Sequence, residues 1–319
     1  MGDESSAWPD LPFDRLYPTA QTLQLWTQIV GKVRLARTPW LNHSWHVTLR
    51  VSARGLATPL IPNGAGGGLS LEFDFIAQHL IVRATAGEER RVALAPRSIA
   101  SFYDEAMDAL AAVGAPTAID PRPNELPDPR PFPDDAALRV YDPEIALSFW
   151  RALVQIDRVF HRFRSRFLGK CSPVHFFWGG ADLAVTRFSG RRAPPHPGGV
   201  PHLSDAVTRE AYSHEVSSAG FWAGGAGVDA PSFYSYAYPA PAGFDAARVR
   251  PTAARFETAL GEFLLPYAAV READDPEDTL LDFLQSTYEA AADLGAWNRA
   301  ALECAEGKIG QPRPVRSSD

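Results

Sequence analysis

SPVHFFWGGADLAVTRF, residues 172–188, decides the fold class. Polar and apolar residues alternate on both sides of Gly179-Gly180, and a glycine pair between two such runs signals a β-hairpin. With the two glycines as the loop, Phe177 pairs with Asp182 and His175 with Ala184. One face then carries Val174, Phe176, Trp178, Leu183 and Val185 and belongs to a core. The other carries His175, Phe177, Asp182, Ala184 and Thr186, the mixed apolar and polar composition of a pocket wall. A tight hairpin is antiparallel, whereas a wound parallel sheet needs long crossovers.

The flanking sequence extends this sheet. AYSHEVSSAGFW (211–222) and SFYSYAY (232–238) read as two more strands, the second with Tyr234, Tyr236 and Tyr238 on one face. Upstream, residues 142–169 form the clearest helix, with Asp142 as N-cap, Pro143 at the first helical position and Gly169 as stop. Downstream, a second strong helix is capped by Asp275, with Pro276 first inside. The first 114 residues repeat the order. A helix capped by Thr19 runs to about Arg37, four short strands follow (46–53, 69–75, 79–85 and 90–96), and a helix spans 98–113. The expected architecture is therefore α+β, two antiparallel sheets flanked by helices in two similar helix-strands-helix halves, 1–114 and 143–306. PTAIDPRPNELPDPRPFPDD, within 115–142, reads as a semi-rigid proline-rich linker, and 307–319 as a flexible tail.

Composition excludes several classes. The chain has 319 residues, 45% hydrophobic and 22% charged, with 18 Phe, 9 Tyr and 8 Trp, so it can build a normal core rich in rings. A formal net charge of −7 lacks the basic face a nucleic-acid partner needs. Two distant cysteines give neither a disulfide framework nor a zinc knuckle. No signal peptide and no apolar run of membrane-spanning length occurs, which gives a cytoplasmic expectation with no membrane partner. Phosphate-cradling glycine loops and the G-x-S-x-G elbow are absent, and HEVSS at His214 has Ser218 where a zinc protease needs its second histidine.

Long phrases of this chain resemble an uncharacterised bacterial family known as domain of unknown function 5996. They include LWTQIVGKVRLARTPWLNHSWHVTLRVSARGL, GKCSPVHFFWGGADLAVTRFSGR, EAYSHEVSSAGFWAGG, FYSYAYP and LLDFLQSTYEAAADLGAW. The resemblance runs from about Trp8 to Leu302 and implies no activity, so candidate residues rest on chemistry.

His43, His46, His175 and His214 sit at or inside expected strands among aromatic residues. Imidazoles from separate strands can bind zinc, iron or manganese, so these four are the candidate metal ligands, and His46, His175 and His214 the candidate general bases. The ordinary alternative is a packed structural imidazole. Arg158 and Arg162 begin a cationic run that either complements a helix dipole or clamps an anionic substrate. Phe177, Asp182 and Tyr236 are the remaining candidate substrate contacts, and Cys171 the one thiol with a cationic neighbourhood. Two functions fit. One is an enzyme performing metal-assisted hydrolysis or oxidation of an anionic small molecule in a histidine-containing aromatic pocket. The other is a non-catalytic protein binding a small ligand.

Overall fold

A computed structural model describes residues 7–64 and 66–313. The chain is α+β with two antiparallel six-stranded sheets. α1 (Phe13–Arg37) leads to β1 (Arg50–Val51), β2 (Gly55–Ala57), β3 (Ile61–Asn63), β4 (Gly67–Asp74), β5 (His79–Ala84) and β6 (Glu89–Ala93), then α2 (Ile99–Ala112). The first sheet runs β1-β2-β4-β5-β6, with β3 also paired to β4. α3 (Pro143–Ser165) precedes β7 (His175–Phe177), β8 (Asp182–Arg192), α4 (Asp205–Ala211), β9 (His214–Trp222), β10 (Ser232–Tyr238), β11 (Arg255–Glu257) and β12 (Glu262–Pro266). α5 (Tyr267–Arg271), α6 (Pro276–Leu294) and α7 (Arg299–Leu302) close the chain, and the second sheet runs β11-β12-β10-β9-β8-β7.

The caps expected for the long helices are present. The Asp142 carboxylate accepts from the Glu144 and Ile145 amides and Asp275 from that of Asp278; Ser98, not anticipated as a cap, also accepts from the Ser101 amide. The hairpin register is the expected one, Phe177 opposite Asp182 and His175 opposite Ala184.

Other expectations need correction. α1 begins at Phe13 rather than Thr19 and contains Pro18 inside its second turn. Residues 46–53 do not form one strand: His43 and Ser44 adopt left-handed backbone, a turn follows, and regular pairing starts only near Leu49. There the Leu49 and Phe176 amides each donate to the other's carbonyl at 2.9 Å, which joins the two sheets edge to edge.

Buried residues from Trp8 to Trp297 form one contiguous core that draws on both halves. Residues 115–142 are part of it, because Phe132 is fully buried and Asp135 nearly so. Of the expected tail, 314–319 lie outside the described residues, while Arg313 donates to the Ala305 carbonyl. α3 and α6 cover one face of the second sheet, where Phe149 meets Phe221. The other face of that sheet borders the cavity.

Candidate functional site

Strand alternation builds the floor of the cavity. Asp182, Ala184, Thr186 and Phe188 from β8, Val216, Ser218 and Trp222 from β9, Tyr234 and Tyr236 from β10, and Glu262 from β12 all face one way. The C-terminal half of α1, the 118–125 segment, the 200–204 loop and α4 wall a space of about 810 Å³. That volume lies within the range of small-molecule sites. The walls are hydrogen-bonded together. The Gln28 side-chain amide accepts from the Asn124 amide at 2.8 Å and donates to the Asn124 carbonyl at 3.0 Å. The Glu125 amide donates to the Pro201 carbonyl at 2.9 Å. Among the described residues eight non-glycines have positive φ, and five of them, His43, Ser44, Glu125, His202 and Ala226, line this cavity. The loop parts of its wall are thus tightly bent, while α1 and α4 supply the regular parts.

Three carboxyl groups gather at one end. The Tyr234 phenol donates to Asp182 Oδ2 at 2.5 Å, whereas the Glu125 and Glu262 carboxyls have no hydrogen-bond or ion-pair partner among the described residues. Three glycines make room for two of these carboxyls and for Tyr234. A methyl at Gly179 would overlap the Glu125 carboxylate, one at Gly180 would lie 2.9 Å from Asp182 Oδ1, and one at Gly220 would overlap the Tyr234 phenol. The hairpin glycines are therefore needed for close approach by carboxylates. The left-handed residue of that turn is Ala181.

All three line the cavity, Glu125 as an exposed residue and Asp182 and Glu262 as half-buried ones. Burial, and then the neighbouring Asp182, push Glu125 and Glu262 up to about 7. Burial raises Asp182 to about 6 against the bond from Tyr234. Burial also lifts Tyr212, Tyr234 and Tyr236 above the usual phenol range. The Tyr236 and Tyr212 hydroxyls are 2.9 Å apart, and the Thr186 and Ser218 hydroxyls 2.8 Å apart. Three buried polar groups of lining residues lack partners among the described residues: the Trp222 indole N–H, the Ser44 hydroxyl and the hydroxyl of Thr208, a residue only 3% exposed.

The candidate residues separate. Phe177, Asp182, Tyr236 and His43 line the cavity. His43 donates from Nδ1 to the Ala211 carbonyl at 2.7 Å and accepts at Nε2 from the Lys170 ammonium at 2.6 Å. This arrangement uses both ring nitrogens, and burial holds the ring neutral by lowering its pKa. His46 packs on Trp40 and accepts from the Leu41 amide at 3.2 Å. His214 lies 6.2 Å from His43, centre to centre, outside the lining. His175 is fully buried beneath Phe177, and burial drives it down to about 3. The four imidazoles are not gathered into one ligand set. No group of three or more His, Cys, Asp or Glu among the described residues is placed to hold a metal ion.

Arg158 and Arg162 do not reach the cavity. Arg158 pairs with Glu277, and Arg162 with Glu277, Asp278 and Glu306 at 3.0–3.4 Å, so an anion clamp has no free guanidinium there. The charged groups that crowd the cavity are acidic. Its one lysine, Lys32, is 3% exposed and stands 3.8 Å from Asp120. Burial raises the Cys171 thiol, the opposite of what activation requires.

Fold and site together define an antiparallel α+β protein with an aromatic, carboxyl-bearing cavity on one sheet face. The chain belongs to a family of unknown function, DUF5996, whose model matches residues 8–304. No curated protein and no solved structure gives a significant match. No helix among the described residues is long and apolar enough to cross a membrane.

Proposed function

We propose that this protein binds a small molecule with a largely apolar body in the cavity of the second sheet. One observation carries the reading: a space of about 810 Å³ whose aromatic walls converge on a few polar groups at one end. That is the usual composition of a ligand site, where rings bury the body of the ligand and sparse polar groups orient it. The carboxyls favour a second reading, an enzyme using acid–base catalysis. Groups that titrate at about 6 and about 7 can both donate and accept a proton near neutral pH.

A neutral, environment-sensitive dye such as Nile red tests the binding reading without a guessed substrate. Ala36 lines the mouth from an exposed position on α1, so Ala36→Trp narrows the entrance without touching the core. Saturable binding by the wild type, weakened about tenfold or more by Ala36→Trp, is expected. Absence of saturable binding, or binding indifferent to this substitution, would contradict the reading.

A further inference from the structure

We propose that the ligand is an organic cation, an apolar or aromatic body bearing an ammonium or amidinium group, with its charge seated among Glu125, Asp182 and Glu262. This rests on the cavity being a ligand site and adds the chemical class. The three carboxyls reach the same end of the cavity from three separate elements: the 118–125 segment, β8 and β12. Their company is Tyr212, just past the end of α4, and Tyr234 and Tyr236 from β10, and no cation among the described residues pairs with any of the three carboxyls. Lys32 stays at Asp120 and under the Trp178 ring, and Lys170 is held by His43, Trp45 and Phe188.

Aromatic faces beside carboxylates form the usual receptor for an ammonium, because ring quadrupoles and formal charge attract it together. A bound cation also answers the mutual repulsion of three carboxyls sharing one end of a cavity. An independent observation is that the lining residues Ser44, Thr208 and Trp222 carry a buried hydroxyl, a buried hydroxyl and a buried indole N–H, Thr208 being 3% exposed, all without partners among the described residues. Unpaired buried polar groups in a cavity wall mark positions that a ligand or water satisfies. The left-handed backbone of Glu125, held by the Gln28–Asn124 clamp, brings its carboxyl over Gly179 and into this cluster.

Dansylcadaverine combines an environment-sensitive aromatic body with a primary ammonium. Its N-acetyl derivative is a neutral match, and dansyl-6-aminohexanoate an anionic one. Fluorescence titration of the full chain near pH 8 is expected to rank the cation about tenfold or more above both. Near pH 5.5, where the carboxyls hold protons, that preference should fall by about tenfold. Glu125→Gln removes no hydrogen bond that the side chain makes to protein, so it tests charge without threatening the fold; Asp182→Asn and Glu262→Gln follow, each with a melting curve. Loss of the cation preference in Glu125→Gln, with binding of the acetylated probe intact, supports the proposal. Equal binding of all three probes overturns the class while leaving the cavity reading standing. Preference for the anion overturns it in favour of the Lys32 end. Failure of every probe, Nile red included, overturns the cavity reading itself.

Discussion

Tyr234→Phe keeps the ring that lies across Gly220 and deletes only the phenol that bonds Asp182. A hydrogen bond to a charged group contributes about 1.5–3 kcal/mol and one between neutral groups about 0.5–1.5. The substitution should therefore cost about 1–2 kcal/mol more when Asp182 is ionised than when it is protonated. Asp182 titrates at about 6 in the folded chain, above an ordinary aspartate. A carboxyl whose folded pKa is raised binds its proton more tightly in the native state, so its contribution to stability declines as pH rises from the unfolded value to about 6. Without the phenol the folded pKa moves up by about one further unit, and the decline extends to higher pH. Urea denaturation of both proteins at pH 5 and pH 8 reads this directly. The gap between them should be small at pH 5 and widen by about 1–2 kcal/mol at pH 8. An equal gap at both pH values would show that the phenol does not bond an ionising carboxylate, and the description of the acidic end would be wrong.

Three other predictions follow from neighbouring features. Gly220→Ala pushes the Tyr234 ring off Asp182 and should destabilise by about 1–3 kcal/mol, a cost that vanishes in a Tyr234→Ala background; persistence there would place the clash elsewhere. His175 stays neutral in the fold down to about 3 while the unfolded chain protonates near 6.5, so stability falls as pH drops through that window, by on the order of 4 kcal/mol. His175→Leu should flatten the stability profile between pH 7 and pH 4, and a curve parallel to the wild type would refute the assignment. Arg162→Gln should leave dye and cation affinity unchanged and cost no more than about 1 kcal/mol of stability, less at high salt, because its ion pairs are partly exposed. A tenfold loss of affinity would restore the anion clamp.

Features fixed by local pattern were readable in the sequence. The period-2 alternation around Gly179-Gly180 gave the hairpin register, and Asp142 and Asp275 marked helix starts through their short side chains. Phe177, Asp182 and Tyr236 were readable as a pocket face by the same alternation. Glu125 was not, because its place depends on contacts across the chain, to Gln28 through Asn124 and to Pro201, inside a segment whose prolines suggested a semi-rigid linker. Glu262 lies in a five-residue strand too short to show a period. The histidines looked alike in sequence and differ only in tertiary setting. His43 meets the cavity with both nitrogens occupied, while His175 is sealed behind Phe177. Residues 46–53 alternate like a strand, yet the left-handed His43 and Ser44 and the following turn limit β1 to Arg50–Val51.

A crystal structure of the protein saturated with dansylcadaverine would show where the ammonium sits. The account places the dansyl rings among the aromatic walls and the ammonium within hydrogen-bond distance, about 3 Å, of the Asp182, Glu125 or Glu262 carboxylates. A probe that leaves the cavity empty, or lies in it with its ammonium turned outward past Ala36 and Trp40, would contradict the account.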